Sequence, residues 1–290
     1  MSTELIFMDY DQAGLDRQYN NRAQVPEHVQ LYESWEPLCA QVLEDFDHHR
    51  DTAYGASPRE TLDIIRPAGP GPHPVHLYIH GGYWMSRTKS DQTFLARPYV
   101  AAGGVFVLVE YDLMPEVRMA DIVRQCRSAV AWVHAHAGDY GIDAERITVS
   151  GHSAGGHLTA MLAATDWPAF CDGPEDMVKA GCAVSGIFEL QPIRLTYMQE
   201  TLGLTAEEVS EFSPVRFDPA PGVPLDVVVG GAETDEFRRQ SKDFTDTWNE
   251  RGGACSYLER PGCNHFTILA DFADPESATA RAIMGQMGVA

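Results

Sequence analysis

Seven short apolar runs, separated by helical patterns and glycine-rich turns, constrain this chain more than any other feature. TLDIIRP (61–67), VHLYIH (75–80), GVFVLVEYD (104–112), RITVS (146–150), AGCAVSG (180–186), PLDVVVGG (224–231) and ACSYLER (254–260) read as strands. Helical patterns fill 87–103, 119–137, 154–165, 235–251 and 275–287, with Pro98 placed to kink the first or end its first part. The central runs are continuously apolar, as strands are when both sheet faces are covered. The alternation predicts one α/β domain spanning 1–290, with a mostly parallel sheet and helices on both faces. Ligands in such sheets bind at the carboxyl ends of strands. Chemistry is therefore to be sought in the loops after residues 80, 150, 231 and 260.

The loop after RITVS reads Gly151-His152-Ser153-Ala154-Gly155-Gly156. G-x-S-x-G between a strand and a helix forms a sharp turn that lifts a serine hydroxyl above the sheet. Serine is a weak nucleophile near neutral pH and needs a base. PGCNHFTI (261–268) supplies His265 after the last strand. An orienting carboxylate belongs on the loop after PLDVVVGG, which offers Glu233, Asp235 and Glu236. Glu233 fits best. Asp235 remains an alternative or serves as a helix N-cap, with Glu236 as a first-turn acid. The order serine, acid, histidine is that of the α/β-hydrolase fold. Acyl transfer also needs donors for an oxyanion. Ala154 N–H at a helix start is one. The strand VHLYIH ends in HGGYW (80–84), whose glycines leave the N–H groups of Gly82 and Tyr83 free to approach the same point. His80 is expected to prop this loop, and Trp84 either shapes the pocket or packs in the core.

Other features narrow the class. Of 290 residues, 42 are acidic and 21 basic, and the net charge of -21 argues against nucleic acid or an anionic membrane as partner. No apolar run reaches membrane-spanning length, and the N-terminus lacks a secretory pattern. Six cysteines without a C-x-x-C pair are expected as free thiols in a reducing cytoplasm. The first 50 residues read as helical, with Trp35, Leu38, Val42, Leu43 and Phe46 as an apolar stripe, ending in EDFDHHRD. His48 and His49 would diverge on a helix, so a solvated face is expected there. With no H-E-x-x-H and no phosphate loop, no metal and no cofactor are expected. Residues 188–217 read as a lid-like insertion with Phe188, Leu190, Tyr197 and Met198 as pocket candidates; a packed surface excursion is the alternative.

Taken together, HGGYW, GHSAGG, GGAETDEFRRQS and NHF, with DRQYNNRAQVPEHVQLYESW and YGASPRETLDIIRP, resemble the kynurenine formamidase (arylformamidase) branch of the α/β-hydrolases. That branch is related to hormone-sensitive-lipase-like esterases. The resemblance covers nearly the whole chain. It implies an α/β-hydrolase fold with a small helical cap and 1–50 covering the site. It implies Ser153 as nucleophile, His265 as base, Glu233 as acid, and Gly82, Tyr83 and Ala154 as oxyanion donors. Some relatives carry aspartate where this chain has Glu233. The implied partner is a small aromatic acyl substrate, an aryl formamide or amide, held by Tyr83, Trp84 and Phe188; a homodimer is the assembly considered. Broad carboxylesterase activity is the alternative, and a non-catalytic binding protein ranks below both, because all three triad positions are filled.

Overall fold

A computed structural model describes residues 4–289. Eight strands form one sheet: β1 Asp47–Ala53, β2 Thr61–Arg66, β3 His73–Ile79, β4 Val105–Val109, β5 Ile142–His152, β6 Ala180–Val184, β7 Pro224–Gly230 and β8 Ala254–Arg260. Their order is β1-β2-β4-β3-β5-β6-β7-β8. β2 runs antiparallel to β1 and β4, and every pairing from β4 to β8 is parallel. This is the mostly parallel α/β sheet the apolar runs imply. Period-two alternation sorts the strands between two cores. Leu77, Val105, Val107 and Val149 face one, while Tyr78, Phe106 and Leu108 face the other.

Among the described residues, thirteen α-helices accompany the sheet. α1 Gln12–Tyr19, α2 Asn21–Gln24 and α3 His28–Asp45 precede it. α4 Ala96–Ala101, α5 Met119–Ala135, α6 Ala154–Ala163 and α7 Trp167–Phe170 lie between strands. α8 Gln191–Arg194, α9 Gln199–Leu202 and α10 Ala206–Glu211 fall within 188–217. α11 Asp235–Glu250, α12 Ile268–Ala273 and α13 Ala278–Met287 complete the chain.

Two local expectations are corrected. EDFDHHRD does not stay helical: α3 stops at Asp45, and His48 and His49 lie on β1. β1 is an edge strand with no fully buried residue, so no apolar period betrays it. It is held by its ladder to β2 and by Asp63, whose carboxylate accepts from the Asp51 N–H at 2.9 Å. The charges along it suit an edge that must not recruit another strand. The second correction concerns 87–103. The break falls at Gln92 (φ -130°), inside a 3₁₀ segment over Lys89–Leu95, and Pro98 sits harmlessly in the first turn of α4. Gln92 is held there because its Oε1 accepts from the buried Tyr78 hydroxyl at 2.8 Å.

Candidate active site

Four strand-end loops converge on one cleft. β5 runs directly into Ser153, whose φ of 58° and ψ of -117° are strained for a residue with a side chain. The strain is held by the Ser153 N–H, which donates to Val184 O at 2.9 Å, and by α6 starting at the next residue. α6 approaches β3 so closely that a Cβ on Gly155 would lie 1.9 Å from Ile79 O. Only glycine permits that approach, which explains the glycine two places after the serine.

The loop after β3 is strained along its length. Gly82, Tyr83 and Trp84 all have positive φ (118°, 51° and 56°). A Cβ on Gly82 would sit 2.1 Å from Ser86 O, so both conformation and space demand glycine. Each costly conformation is tied down. The Tyr83 hydroxyl donates to Tyr19 O at 2.7 Å, Trp84 Nε1 donates to His157 Nδ1 at 3.2 Å, and Met114 N donates to Trp84 O at 2.8 Å. His80 is buried, stacks on Tyr111 at 4.3 Å and places Nε2 3.1 Å from Glu110 Oε1. Burial works to raise the Glu110 carboxyl, but His80, the Lys89 N–H and Arg59 together hold it below the usual range. Among the described residues, the N–H groups of Gly82, Tyr83 and Ala154 have no intramolecular acceptor.

After β7, Glu233 turns back toward the sheet. Its Oε2 lies 2.7 Å from His265 Nδ1, and its Oε1 accepts from Ser185 Oγ at 2.5 Å and Gly230 N–H at 2.7 Å. The carboxylate on Nδ1 makes that nitrogen the donor, so His265 Nε2 is the atom available to take a proton. His265 is itself aimed by Asn264, whose Oδ1 accepts from Phe266 N–H and Thr267 N–H, both at 2.9 Å. Asp235 points elsewhere: it is exposed and pairs with Arg238 at 2.5 Å. The helix N-cap position belongs to Thr234 rather than Asp235. Glu236 is more than a first-turn acid. It is buried, paired with Arg239 and bonded by the Tyr19 hydroxyl at 2.8 Å.

Ser153 and His265 line a common cleft of about 700 Å³, counting its open mouth. No direct hydrogen bond joins them among the described residues, as is common in free enzymes before substrate tightens the geometry. His152 and Gly82 share the floor, and Tyr83 stands beside them. The facing wall comes from the N-terminal helices and their flanks: Tyr19, Arg22 and Tyr32, with Tyr197 from between α8 and α9.

Two expected pocket residues are corrected. Trp84 has no exposed surface and packs in the core against His157. Phe188 is also buried; it stacks on Phe244 at 4.2 Å, on the α11 side of the sheet's core. Leu190 and Met198 are likewise core residues, so Tyr197 alone of the 188–217 candidates lines the cleft. An aromatic beside the oxyanion loop has two ways to turn, and spacing in the chain does not say which. Ser185, Asn264 and Arg22 were not singled out from the sequence. Ser185 had a usable signal, since it follows the carboxyl end of β6; the other two had none beyond lying near other motifs. Among the described residues, no three His, Cys, Asp or Glu side chains converge as a metal site, and no helix is long and apolar enough to cross a membrane.

Comparison with known proteins adds three findings. The family described as BD-FAE matches residues 62–209. The chain is 34% identical to the kynurenine formamidase of Danio rerio, over 82% of this chain and 81% of that one, and 28% identical to Esterase LipC of Mycobacterium tuberculosis, over 82% and 64%. The crystal structure of a candidate thioesterase from Silicibacter sp. superposes with a TM-score of 0.83 at 28% identity, covering 93% of this chain and 98% of that one.

Proposed function

Because the chain belongs to the BD-FAE family and to the kynurenine formamidase-like branch of the α/β-hydrolases, we propose that it hydrolyses aryl formamides or aryl amides through an acyl-enzyme on Ser153. The observation that carries the reading is the 2.7 Å contact from Glu233 to His265, whose ring lines the same cleft as a serine on a strained strand-to-helix turn. In the first step His265 Nε2 takes the Ser153 proton as Oγ attacks the carbonyl carbon. Glu233 holds the tautomer and stabilises the imidazolium. The tetrahedral oxyanion forms among the N–H groups of Gly82, Tyr83 and Ala154, each contributing about 3 kcal/mol to lowering the barrier. His265 then gives its proton to the leaving nitrogen, the C–N bond breaks and the amine departs. Water, deprotonated by the same histidine, attacks the acyl-enzyme and releases the acid.

An aromatic amine leaves more readily than an alkyl amine, and the rings of Tyr83, Tyr32 and Tyr197 offer flat surfaces for it. The N-terminal helices serve as the cover of this site in our reading, with 188–217 contributing one wall residue. The free state of all six cysteines supports a reducing compartment. A second reading, broad esterase activity, is favoured by the 28% identity to an esterase. Turnover of N-formylkynurenine, acyl anilides and short p-nitrophenyl esters by the purified protein decides between them. Formamide turnover comparable to the best ester is expected, and Ser153→Ala should cost at least about 10⁴-fold in kcat. Esters outpacing every amide by orders of magnitude would favour the esterase.

A further inference from the structure

The cleft reverses the charge of the molecule around it. The chain carries 42 acidic and 21 basic residues, yet no Asp or Glu lines the cleft among the described residues, and two arginines do. The two arginines are differently placed. Arg87 is engaged: its guanidinium lies 3.6 Å from the Tyr32 ring centre and 3.6 Å from Asp91. Arg22, exposed on α2, has no carboxylate within 4 Å among the described residues. Its one hydrogen bond is a long one, to Ser86 Oγ at 3.5 Å. Burial raises the hydroxyls of Tyr32, Tyr83 and Tyr197, and the Arg22 charge opposes that rise at all three. Arg22 is thus a guanidinium without a carboxylate partner among the ring walls of the cleft. Its backbone is held in register because Asn21, the preceding residue, is buried and donates from Nδ2 to the Tyr83 hydroxyl at 3.2 Å.

We propose that Arg22 is a specificity residue that receives an anionic group, a carboxylate, on the leaving-group side of the substrate. The inference rests on acyl transfer at Ser153 in this cleft. A carboxylate in a cleft without acids gains a charge-assisted, potentially bidentate partner that a neutral analogue lacks. Molecules of this charge would otherwise be repelled by the chain's negative field. The substrate class is therefore an aryl amide or ester whose aryl portion carries a carboxylate.

The test uses matched pairs on the whole protein: formanilide against its ring-carboxylated counterpart, and phenyl acetate against 3-carboxyphenyl acetate. The ratio of kcat/KM, anionic over neutral, is read within each variant. The wild type should favour the anionic member about 10- to 100-fold at low salt, and less at high salt. Arg22→Gln should collapse that ratio mainly through KM, and Arg22→Lys should restore part of it. An unchanged ratio in Arg22→Gln, or a wild-type ratio at or below one, would overturn the proposal and leave Arg22 a solvated surface charge. Should Arg22→Gln not fold, the wild-type ratio, its salt dependence and Arg22→Lys still decide. Failure of the catalytic reading shows separately, as turnover surviving in Ser153→Ala. Titration of that variant with benzoate against benzyl alcohol reads the anion preference without turnover; equal affinity for both would count against Arg22.

Discussion

The floor of the cleft and the N-terminal helices proposed as its cover are built on different principles. The floor, made of the loops at 80–84, 151–156, 230–233 and 263–267, holds its atoms by backbone. Ser153, Tyr83 and Trp84 all sit at positive φ, and Gly82 and Gly155 leave no room for a Cβ. The cover, α1 and α2, is held by side chains reaching across the sequence. Thr234 Oγ donates to Gln18 O at 2.7 Å, Tyr197 N–H donates to Asp16 Oδ1 at 2.9 Å, and Gln12 Nε2 donates to Leu195 O at 2.9 Å. Catalysis needs donors and a nucleophile fixed within a few tenths of an ångström, which only an over-determined backbone supplies. Selecting a ligand tolerates a looser mount. Damage to the floor should therefore appear in kcat, and damage to the cover in KM and local stability.

After Ser153→Ala, the largest effect should come from Glu233→Gln. The substitution keeps the shape but replaces one carboxylate oxygen with an amide nitrogen, upsetting the tautomer that frees Nε2. A loss of roughly 10³- to 10⁴-fold in kcat is expected, against a change within about twofold for Asp235→Asn, since exposed pairs contribute little. The reverse pattern in steady-state kinetics would move the acid to Asp235. Gly82→Ala comes next. A Cβ at that position meets Ser86 O and a φ of 118°, so the loop must shift. We expect kcat to fall about 10²- to 10³-fold with KM nearly preserved, and a crystal structure of the variant should show the 82–83 N–H groups displaced.

A third effect reads the core beneath the floor. Burial pushes His76 down to about 3 and His157 down to about 4. Their folded values lie below the unfolded value near 6.5, so the unfolded chain binds more protons. The stability they contribute is complete above about pH 6.5 and is lost as pH falls toward the folded values, at about 2 kcal/mol per ring between pH 6.5 and 5. Denaturant melts at pH 7, 6 and 5 should show the midpoint declining from about 6.5 downward. A flat profile until pH 4, where carboxylates titrate, would mean the rings are charged in the native state.

The smallest effect tests the cover. The buried Tyr19 hydroxyl donates to Glu236 at 2.8 Å and accepts from Gln240 Nε2 at 2.7 Å. Tyr19→Phe should cost about 1–2 kcal/mol, raise KM more than it lowers kcat, and speed hydrogen exchange over residues 12–24 ahead of the sheet. A fall in kcat with no change in exchange would erase the distinction between the two regions.

Where the candidate site sits could be read in the chain because strand-end position is a property of order. A serine between RITVS and an apolar helix, a histidine after the last strand and a glycine pair after VHLYIH are spaced by the sheet's own connectivity. The same reasoning failed for β1, whose edge position leaves it without an apolar period, and for Trp84 and Phe188. Local patterning comes from interactions within a segment, so the amino-acid sequence alone determined seven of the eight strands, the glycine-demanding turns and the excess of acid. Which way a ring turns, that Glu233 and Ser185 meet 48 positions apart, and that Arg22 stands in a cleft without acids are outcomes of long-range packing. They depend on distances between residues far apart in the chain, which no local pattern encodes, and only the tertiary structure decided them.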